Sequence, residues 1–274
     1  MRLRGMMAAA MAALGLAACG TTAVEPSGLL TNYDGLVPRE DAVRAAISHR
    51  RDDALAAAVE SVFIEPASLA PGVGDQLTGL ERGLVLREVD RQICYELSER
   101  FTLLRVADPD AAHVRAVVTR IAPTGRVASA ASAASGFFIP GPIGLRVPGT
   151  LGGLAAEAEL LVGDDRRQAA VILWTRDAQP VGTDNPSLSR VGDAVQLAEP
   201  FGDAVGDTFA HPERQTRAVP DPDPCARFGP RFRPEGVAAR FITGLYTPEL
   251  NGARAGEPPD AETRSNSEVP RTER

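Results

Sequence analysis

The chain has 274 residues, of which 44% are hydrophobic, 24% are charged and 5% are aromatic, and its net charge is −7. That length and apolar fraction suit one globular domain with unstructured ends better than two full domains. An acidic chain with few aromatic side chains lacks the positive charge that phosphates need and the rings on which bases stack, which argues against nucleic acid as a partner.

The first 18 residues have the organisation of a signal peptide. A basic start, MRLR, precedes an apolar run over residues 6–16, which is shorter than the ~20 residues of a membrane-spanning helix. The sequence LAAC at 16–19 resembles a bacterial lipobox. That resemblance implies cleavage before Cys19 and attachment of acyl chains to it, and two or more chains hold a protein stably at a membrane. A plain secretory signal is the alternative.

The residue after the cysteine indicates which membrane carries the anchor. In lipoproteins of Gram-negative bacteria, aspartate at this place tends to retain the protein in the inner membrane. Gly20 stands there, which favours the periplasmic face of the outer membrane. Residues 19–35 are then the anchor and its tether, because GTTAVEPSG is small and polar.

The first elements of the domain are predicted from composition and spacing. The Ala-rich, charged stretch 40–60 indicates a helix, and the branched and aromatic run 60–69 indicates a buried strand. Thr78 and Glu81 have capping-box spacing ahead of apolar residues repeated every three or four positions. A long amphipathic helix is therefore predicted to begin there and to end near Phe101.

Strands and a final helix complete the predicted domain, which spans residues 36–210. Pro200 is tolerated in the first turn of a helix but not in its interior, so the last helix is predicted to begin near Glu199. Together the elements predict an α+β fold with a single mixed or antiparallel sheet and helices packed on it. Four further strands are predicted, at 102–107, at 112–122, and at 154–162 and 168–176 as the halves of a hairpin.

Several of these segments together resemble one family. GLLTNYDGL behind the lipobox, VFIEPASL, the long helix, the hairpin and the FGDAVGDTFA helix are similar to the bacterial lipoproteins catalogued as domain of unknown function 3313. The resemblance covers roughly residues 27–210 and implies an α+β domain. Because that family has no settled activity, the resemblance carries over no functional residue except the lipidated Cys19.

Residues 211–274 are predicted to form a mostly disordered extension, because they are rich in proline and their last part has no aromatic residue. Segment 228–250 is the exception, since it combines aromatic side chains with arginines. It is predicted either to dock on a partner protein or to fold back on its own domain. The candidate docking residues are Phe228, Phe232, Phe241 and Tyr246.

Two cysteines remain once Cys19 carries lipid. Cys94 lies on the long helix and Cys225 in the proline-rich stretch after the domain. The periplasm is oxidising, which favours a disulfide between them over two free thiols. Closing a loop of ~130 residues contributes roughly 5 kcal/mol in the chain-entropy account.

The sequence lacks the common motifs of catalysis and of metal binding. It contains no G-x-S-x-G, no H-E-x-x-H and no C-x-x-C. No cofactor and no metal ion is predicted, and no catalytic residue is assigned.

Three functions follow as hypotheses. The first is a noncatalytic lipoprotein that serves as an accessory or structural partner of an envelope assembly. The second is a lipoprotein that binds a small ligand or lipid, with the apolar stretch 136–153 over a deep apolar pocket. The third is an envelope hydrolase, which requires His49, His113 or His211 within hydrogen-bond reach of a serine or cysteine.

Overall fold

A computed structural model describes residues 25–253, except 43, 126–143, 146–150, 180 and 183. The predicted signal peptide, Cys19, Gly20 and the end of the predicted C-terminal extension lie outside the described residues. Most of the apolar stretch 136–153 lies outside them as well.

A mixed sheet forms the centre of the described part of the chain. Its eight strands lie in the order β1-β2-β9-β8-β6-β3-β5, with β4 also paired to β6, while β7 and β10 pair separately. β3 is parallel to β5 and β6, and the other neighbours on the main path are antiparallel. The strands are β1 (Val37–Pro38), β2 (Ala46–Arg51), β3 (Ser61–Ile64), β4 (Ser68–Leu69), β5 (Thr102–Leu104), β6 (Ala112–Ala122), β7 (Gly144–Leu145), β8 (Gly153–Val162), β9 (Arg167–Asp177) and β10 (Val181–Gly182).

Helices cover one face of this sheet, so the predicted α+β class is confirmed. The hairpin of β8 and β9 matches the predicted strands within one residue at each end. The long helix begins behind the predicted capping box of Thr78 and Glu81, in which each side chain bonds the other residue's backbone N–H. The helices are α1 (Asp53–Ala58), α2 (Gly79–Ser98), α3 (Gly192–Phe209), α4 (Pro234–Thr243) and α5 (Pro248–Asn251).

The main core lies between the sheet and the pair α2 and α3. Trp174 of β9 packs against Phe201 of α3, with ring centroids 5.7 Å apart. Gly202 lets α3 approach the backbone of Gln92 on α2, because a Cβ at that glycine would lie 2.8 Å from the Gln92 Cβ. The two helices therefore pack closely over the inner face of the sheet.

The prediction of a helix over 40–60 is wrong for most of that stretch. β2 pairs with β9 along its whole length, with Ile47 opposite Trp174, and only the six residues of α1 are helical. The side chain of Asp52 caps α1 by accepting a hydrogen bond from the Leu55 N–H at 3.0 Å. Pairing with a distant strand and burial of Ile47 outweigh the local helix preference of an Ala-rich sequence.

The last long helix also begins earlier than predicted. α3 starts at Gly192, seven residues before Glu199, so Pro200 lies inside it. Proline removes one backbone hydrogen bond from a helix interior. Val195 and Leu197, which precede it, are almost fully buried, and this burial offsets the missing bond.

The domain does not end at residue 210 as predicted. Residues 211–253 continue across the outer side of the helices, and Cys225, Phe228 and Ala253 join the main core. Among the described residues, no helix combines the length and apolar character needed to cross a membrane.

Candidate functional site

Apolar side chains on α4 point into solvent. Single exposed apolar residues are common on soluble proteins, but several on one short helix mark an interaction surface. We call the following four residues the α4 surface, three of them on α4 and Phe232 just before it; their exposed fractions are Phe232 70%, Val237 44%, Phe241 90% and Ile242 71%.

The helix that carries this surface is held on the domain by buried polar contacts. Arg233, which is 4% exposed, donates hydrogen bonds to the carbonyls of Phe228 and Gly252. The Ala253 N–H donates to a carboxylate oxygen of Glu88 on α2 at 2.6 Å. These bonds fix both ends of the segment that contains α4 and α5.

A disulfide joins Cys94 of α2 to Cys225, across a sequence separation of 131 residues. Both sulfurs lie in the main core, because Cys94 is 2% exposed and Cys225 is fully buried. The bond therefore fixes the chain a few residues before α4 begins.

The opposite face of the sheet is covered by residues 27–36, which we call the N-terminal segment. Leu30 packs there against Val117, Val171 and Leu173, in a second apolar cluster distinct from the main core. This cluster is small, so the polar contacts around it contribute much of what holds the segment in place.

Two fully buried carboxylates of β8 hold the N-terminal segment. Glu157 accepts hydrogen bonds from the Ser27 N–H, the Ser27 hydroxyl and the Tyr33 hydroxyl, each at 2.7 Å. Glu159 accepts from the Thr31 N–H at 2.9 Å and forms an ion pair with Arg115. We call Glu157 and Glu159 the carboxylate clamp.

The clamp and the α4 surface lie on opposite sides of the domain. The clamp is on the sheet face away from the helices, whereas α4 and α5 lie over α2 and α3. The chain that precedes Ser27 therefore joins the domain on the side opposite α4.

Residues 25–205 match a family described as "Protein of unknown function (DUF3313)". The chain belongs to the DUF3313 family. No curated protein matches it.

The fold of this DUF3313 chain is distantly similar to solved structures of PelC from Paraburkholderia phytofirmans. One PelC dodecamer has 8% identity and a TM-score of 0.35, and the comparison covers 64% of this chain and 99% of that one. A point variant of the dodecamer has 6% identity and a TM-score of 0.34, covering 59% and 97%. At this similarity neither structure bears on function.

The four predicted docking residues of the DUF3313 chain divide into two pairs. Phe232 and Phe241 belong to the exposed α4 surface, whereas Phe228 is buried and Tyr246 packs, partly buried, against the core. Segment 228–250 thus folds back on its domain and still presents apolar side chains. Cys19 lies outside the described residues.

Several residues of these sites were missed by the sequence analysis. Val237 and Ile242 extend the α4 surface, and their spacing with Phe241 was a helical signal within segment 228–250. Glu157 and Glu159 are charged residues two apart within an otherwise apolar strand. Such a pair on one strand face is a signal for a polar partner, here the N-terminal segment.

Two of the three histidines, His113 and His211, have hydrogen-bond partners at their side-chain rings. His113 contacts the carboxylate of Glu65 at 3.1 Å, and His211 accepts a hydrogen bond from the Glu213 N–H at 3.3 Å. Within the described ranges, none of the hydrogen bonds joins a histidine to a serine or cysteine, and no cluster of three or more metal-ligating side chains occurs.

Proposed function

We propose that this chain is a lipid-anchored lipoprotein on the periplasmic face of the outer membrane and that it serves as a noncatalytic accessory partner in an envelope assembly. It binds an envelope protein through the α4 surface. The observation that carries the proposal is that Phe241 and Ile242 are exposed together on one short helix, because clustered exposed apolar side chains mark an interaction surface.

The α4 surface has the size and chemistry of a protein-binding site. Fully burying a Phe, Ile or Val side chain contributes about 1.5–3 kcal/mol, so four such residues supply the apolar centre of a modest interface. Aromatic side chains near the middle of an interface commonly carry most of its binding energy. Phe241, the most exposed of the four, is the expected anchor.

The position of the tether supports a protein partner rather than the anchoring membrane. Cys19 precedes Ser27 by eight residues, and that length of chain spans at most about 27 Å. The lipid is therefore held near the clamp side of the sheet. The α4 surface, on the other side of the domain, then faces the periplasm.

Site-specific photocrosslinking in intact cells tests the partner. A photoreactive residue at Phe241 should give one reproducible crosslinked envelope protein, and the same residue at exposed Asp164, in the β8–β9 turn, should not. The adduct should require the anchor, so it should disappear in the Cys19→Ser variant. Crosslinks from Phe241 to lipid alone, or equal protein crosslinks from both positions, would count against the proposal.

Metabolic labelling tests the anchor separately. Radiolabelled palmitate should enter the wild-type chain and not Cys19→Ser. Gly20→Asp should move the labelled protein from outer-membrane to inner-membrane fractions, whereas Gly20→Ala should leave it in place. An unlabelled wild-type chain would contradict lipidation.

A further inference from the structure

A groove of about 390 Å³ lies between the start of α2, the loop before α3 and the start of α5. Its wall includes four leucines, so we call it the leucine groove; they are Leu80, Leu84, Leu188 and Leu245. Two of them are open to solvent, since Leu80 is 70% and Leu188 48% exposed. Leu245 follows Ile242 by three residues, which is at most about 11 Å of chain. The leucine groove therefore adjoins the α4 surface.

The α4 surface and the leucine groove have complementary shapes and the same apolar chemistry. Phe241 and Ile242 project from the helix and are largely exposed, whereas the groove is a hollow. Pockets of this volume accommodate groups larger than one aromatic ring, so the groove can receive the side chain of a phenylalanine. Within one chain Phe241 does not enter it, because that side chain is 90% exposed.

The charges beside the two features have opposite signs. Arg240, which precedes Phe241, is exposed, and Glu249 is an exposed carboxylate in the wall of the groove. Among the described residues, neither Arg240 nor Glu249 forms an ion pair. The other carboxylate of the groove, Glu81, is already held by the capping box. Insertion of one molecule's Phe241 into another's groove would bring an arginine toward Glu249.

We propose that the partner at the α4 surface is a second copy of this chain, related to the first by a twofold axis. Phe241 of each copy enters the leucine groove of the other, and Arg240 of each lies opposite Glu249 of the other. Because the α4 surface and the groove adjoin, one twofold rotation makes both contacts at once, as in an isologous dimer. The assignment rests on the α4 surface being a protein-binding site, as in the proposed function.

The apolar contacts supply the affinity of this dimer, and the charges set its orientation. Burying a large apolar side chain contributes about 1.5–3 kcal/mol, and the twofold axis doubles each contact. Exposed ion pairs contribute little affinity, but like charges placed together are strongly unfavourable. Arg240 and Glu249 therefore favour the arrangement in which each meets the other rather than its own copy.

Two copies anchored in one membrane can form this dimer side by side. A domain of roughly 200 residues has a radius of gyration of about 16 Å, so its middle lies about 20 Å above the membrane. The chain from Cys19 to Ser27 spans up to about 27 Å. It is therefore long enough for both α4 surfaces to face each other across an axis perpendicular to the membrane.

Photocrosslinking in cells between two differently tagged full-length copies tests the dimer. One copy carries a photoreactive residue at Phe241, and the other is otherwise wild type. An adduct that carries both tags is expected. An adduct with a different protein alone would overturn the dimer and leave the proposed protein partner intact, whereas the absence of any protein adduct would contradict both.

A variant of the second copy tests the groove. Leu80→Asp should lower the yield of the adduct at least tenfold, because a charge replaces an apolar side chain at the contact. The variant should fold, since Leu80 is exposed and aspartate is favourable in the first turn of a helix. Val106→Asp, at an exposed apolar residue outside the groove, is the matched control. Equal yields from the two variants would refute insertion into the groove.

Charge reversal tests the orientation. Arg240→Glu places two carboxylates together at each contact and should lower the yield at least tenfold. Adding Glu249→Arg to the same chain restores opposite charges across the twofold axis, so it should restore most of the yield. A double variant that crosslinks as poorly as Arg240→Glu alone would overturn this arrangement of the two copies.

Discussion

Glu157 is a charged side chain with no exposure to solvent, and its neighbours explain why it is tolerated there. It accepts three hydrogen bonds from the N-terminal segment, and buried carboxylates without such partners are strongly unfavourable. Glu157→Gln should lower the free energy of unfolding by about 1–3 kcal/mol, because an amide replaces an acceptor with a donor facing Ser27 and Tyr33. Urea unfolding measures the loss, and exposed Glu60→Gln should show none.

The same contact predicts coupling between two residues. Tyr33→Phe alone should cost about 1–3 kcal/mol, because it removes the hydroxyl that donates to Glu157 and accepts from the Leu30 N–H. In the Glu157→Gln background it should cost less, since the acceptor has already changed. Strictly additive losses in a double-mutant cycle would show that the hydroxyl of Tyr33 and Glu157 do not interact.

At the scale of single residues, the sequence predicted the chemistry that is local and missed the chemistry that is not. The capping box of Thr78 and Glu81 lies within four residues and was predicted correctly. The partners of Glu157 lie more than 120 residues away, so the sequence near Glu157 contains no sign of them.

The packing of α2 against α3 depends on a glycine. Gly202→Ala would place a Cβ 2.8 Å from the Cβ of Gln92 and 2.9 Å from its backbone carbon. The variant should lose about 1–3 kcal/mol through overpacking, although alanine is the better helix former. Gly79→Ala, in the first turn of α2 with nothing within 4 Å, should be neutral or stabilising. Denaturant unfolding compares the two, and equal stability would contradict the close approach.

The disulfide connects the C-terminal segment to α2. Cys94→Ser combined with Cys225→Ser should lower the free energy of unfolding by up to about 5 kcal/mol, the chain-entropy value for a loop of this length. Amide hydrogens of α4 and α5 should then exchange faster than those of β8 and β9, because the segment loses its covalent attachment. Hydrogen exchange followed by mass spectrometry measures both. Free thiols at both cysteines in the unreduced wild-type chain would contradict the bond.

At the scale of elements, long-range contacts explain where the sequence prediction failed. β2 looks helical by composition, but its pairing with β9 decides its conformation. Residues 211–253 look disordered by composition, yet arginines bind them to backbone carbonyls: Arg214 donates to Val59 and Arg217 to Ser98. Neither set of partners can be identified from the local sequence, because each is brought near only by the fold.

Three carboxyl groups with raised pKa values should make the stability of the domain depend on pH. Burial raises the pKa of Asp90 to about 6, and burial with neighbouring carboxylates raises that of Asp203 to about 7. Burial also raises the pKa of Glu88, although Arg91 opposes it. The ordinary values in an unfolded chain are about 4, so these three carboxyl groups hold protons in the folded state at pH values where they have lost them in the unfolded state.

Stability should therefore fall as pH rises through this window. His49 has the opposite effect on stability. Burial, together with Arg39 and Arg51, lowers its pKa, so its contribution to stability grows as the pH rises to about 6.5, the ordinary value for histidine. Its contribution is complete above that value, which leaves the carboxyl groups to dominate between pH 6.5 and pH 8. The melting temperature should be lower at pH 8 than at pH 6.5.

One variant isolates the main contributor to this slope. Asp203→Asn should raise the melting temperature at pH 8 and reduce the difference between pH 6.5 and pH 8. Because the Asp203 side chain is only partly covered by its neighbours, solvent screening limits its gain to under about 1 kcal/mol, which corresponds to at most about 2–4 °C for a domain of this size. Asp164→Asn, in the exposed hairpin turn, should keep the wild-type slope. A wild-type melting temperature that rises from pH 6.5 to pH 8 would mean that these carboxyl groups ionise freely in the folded chain.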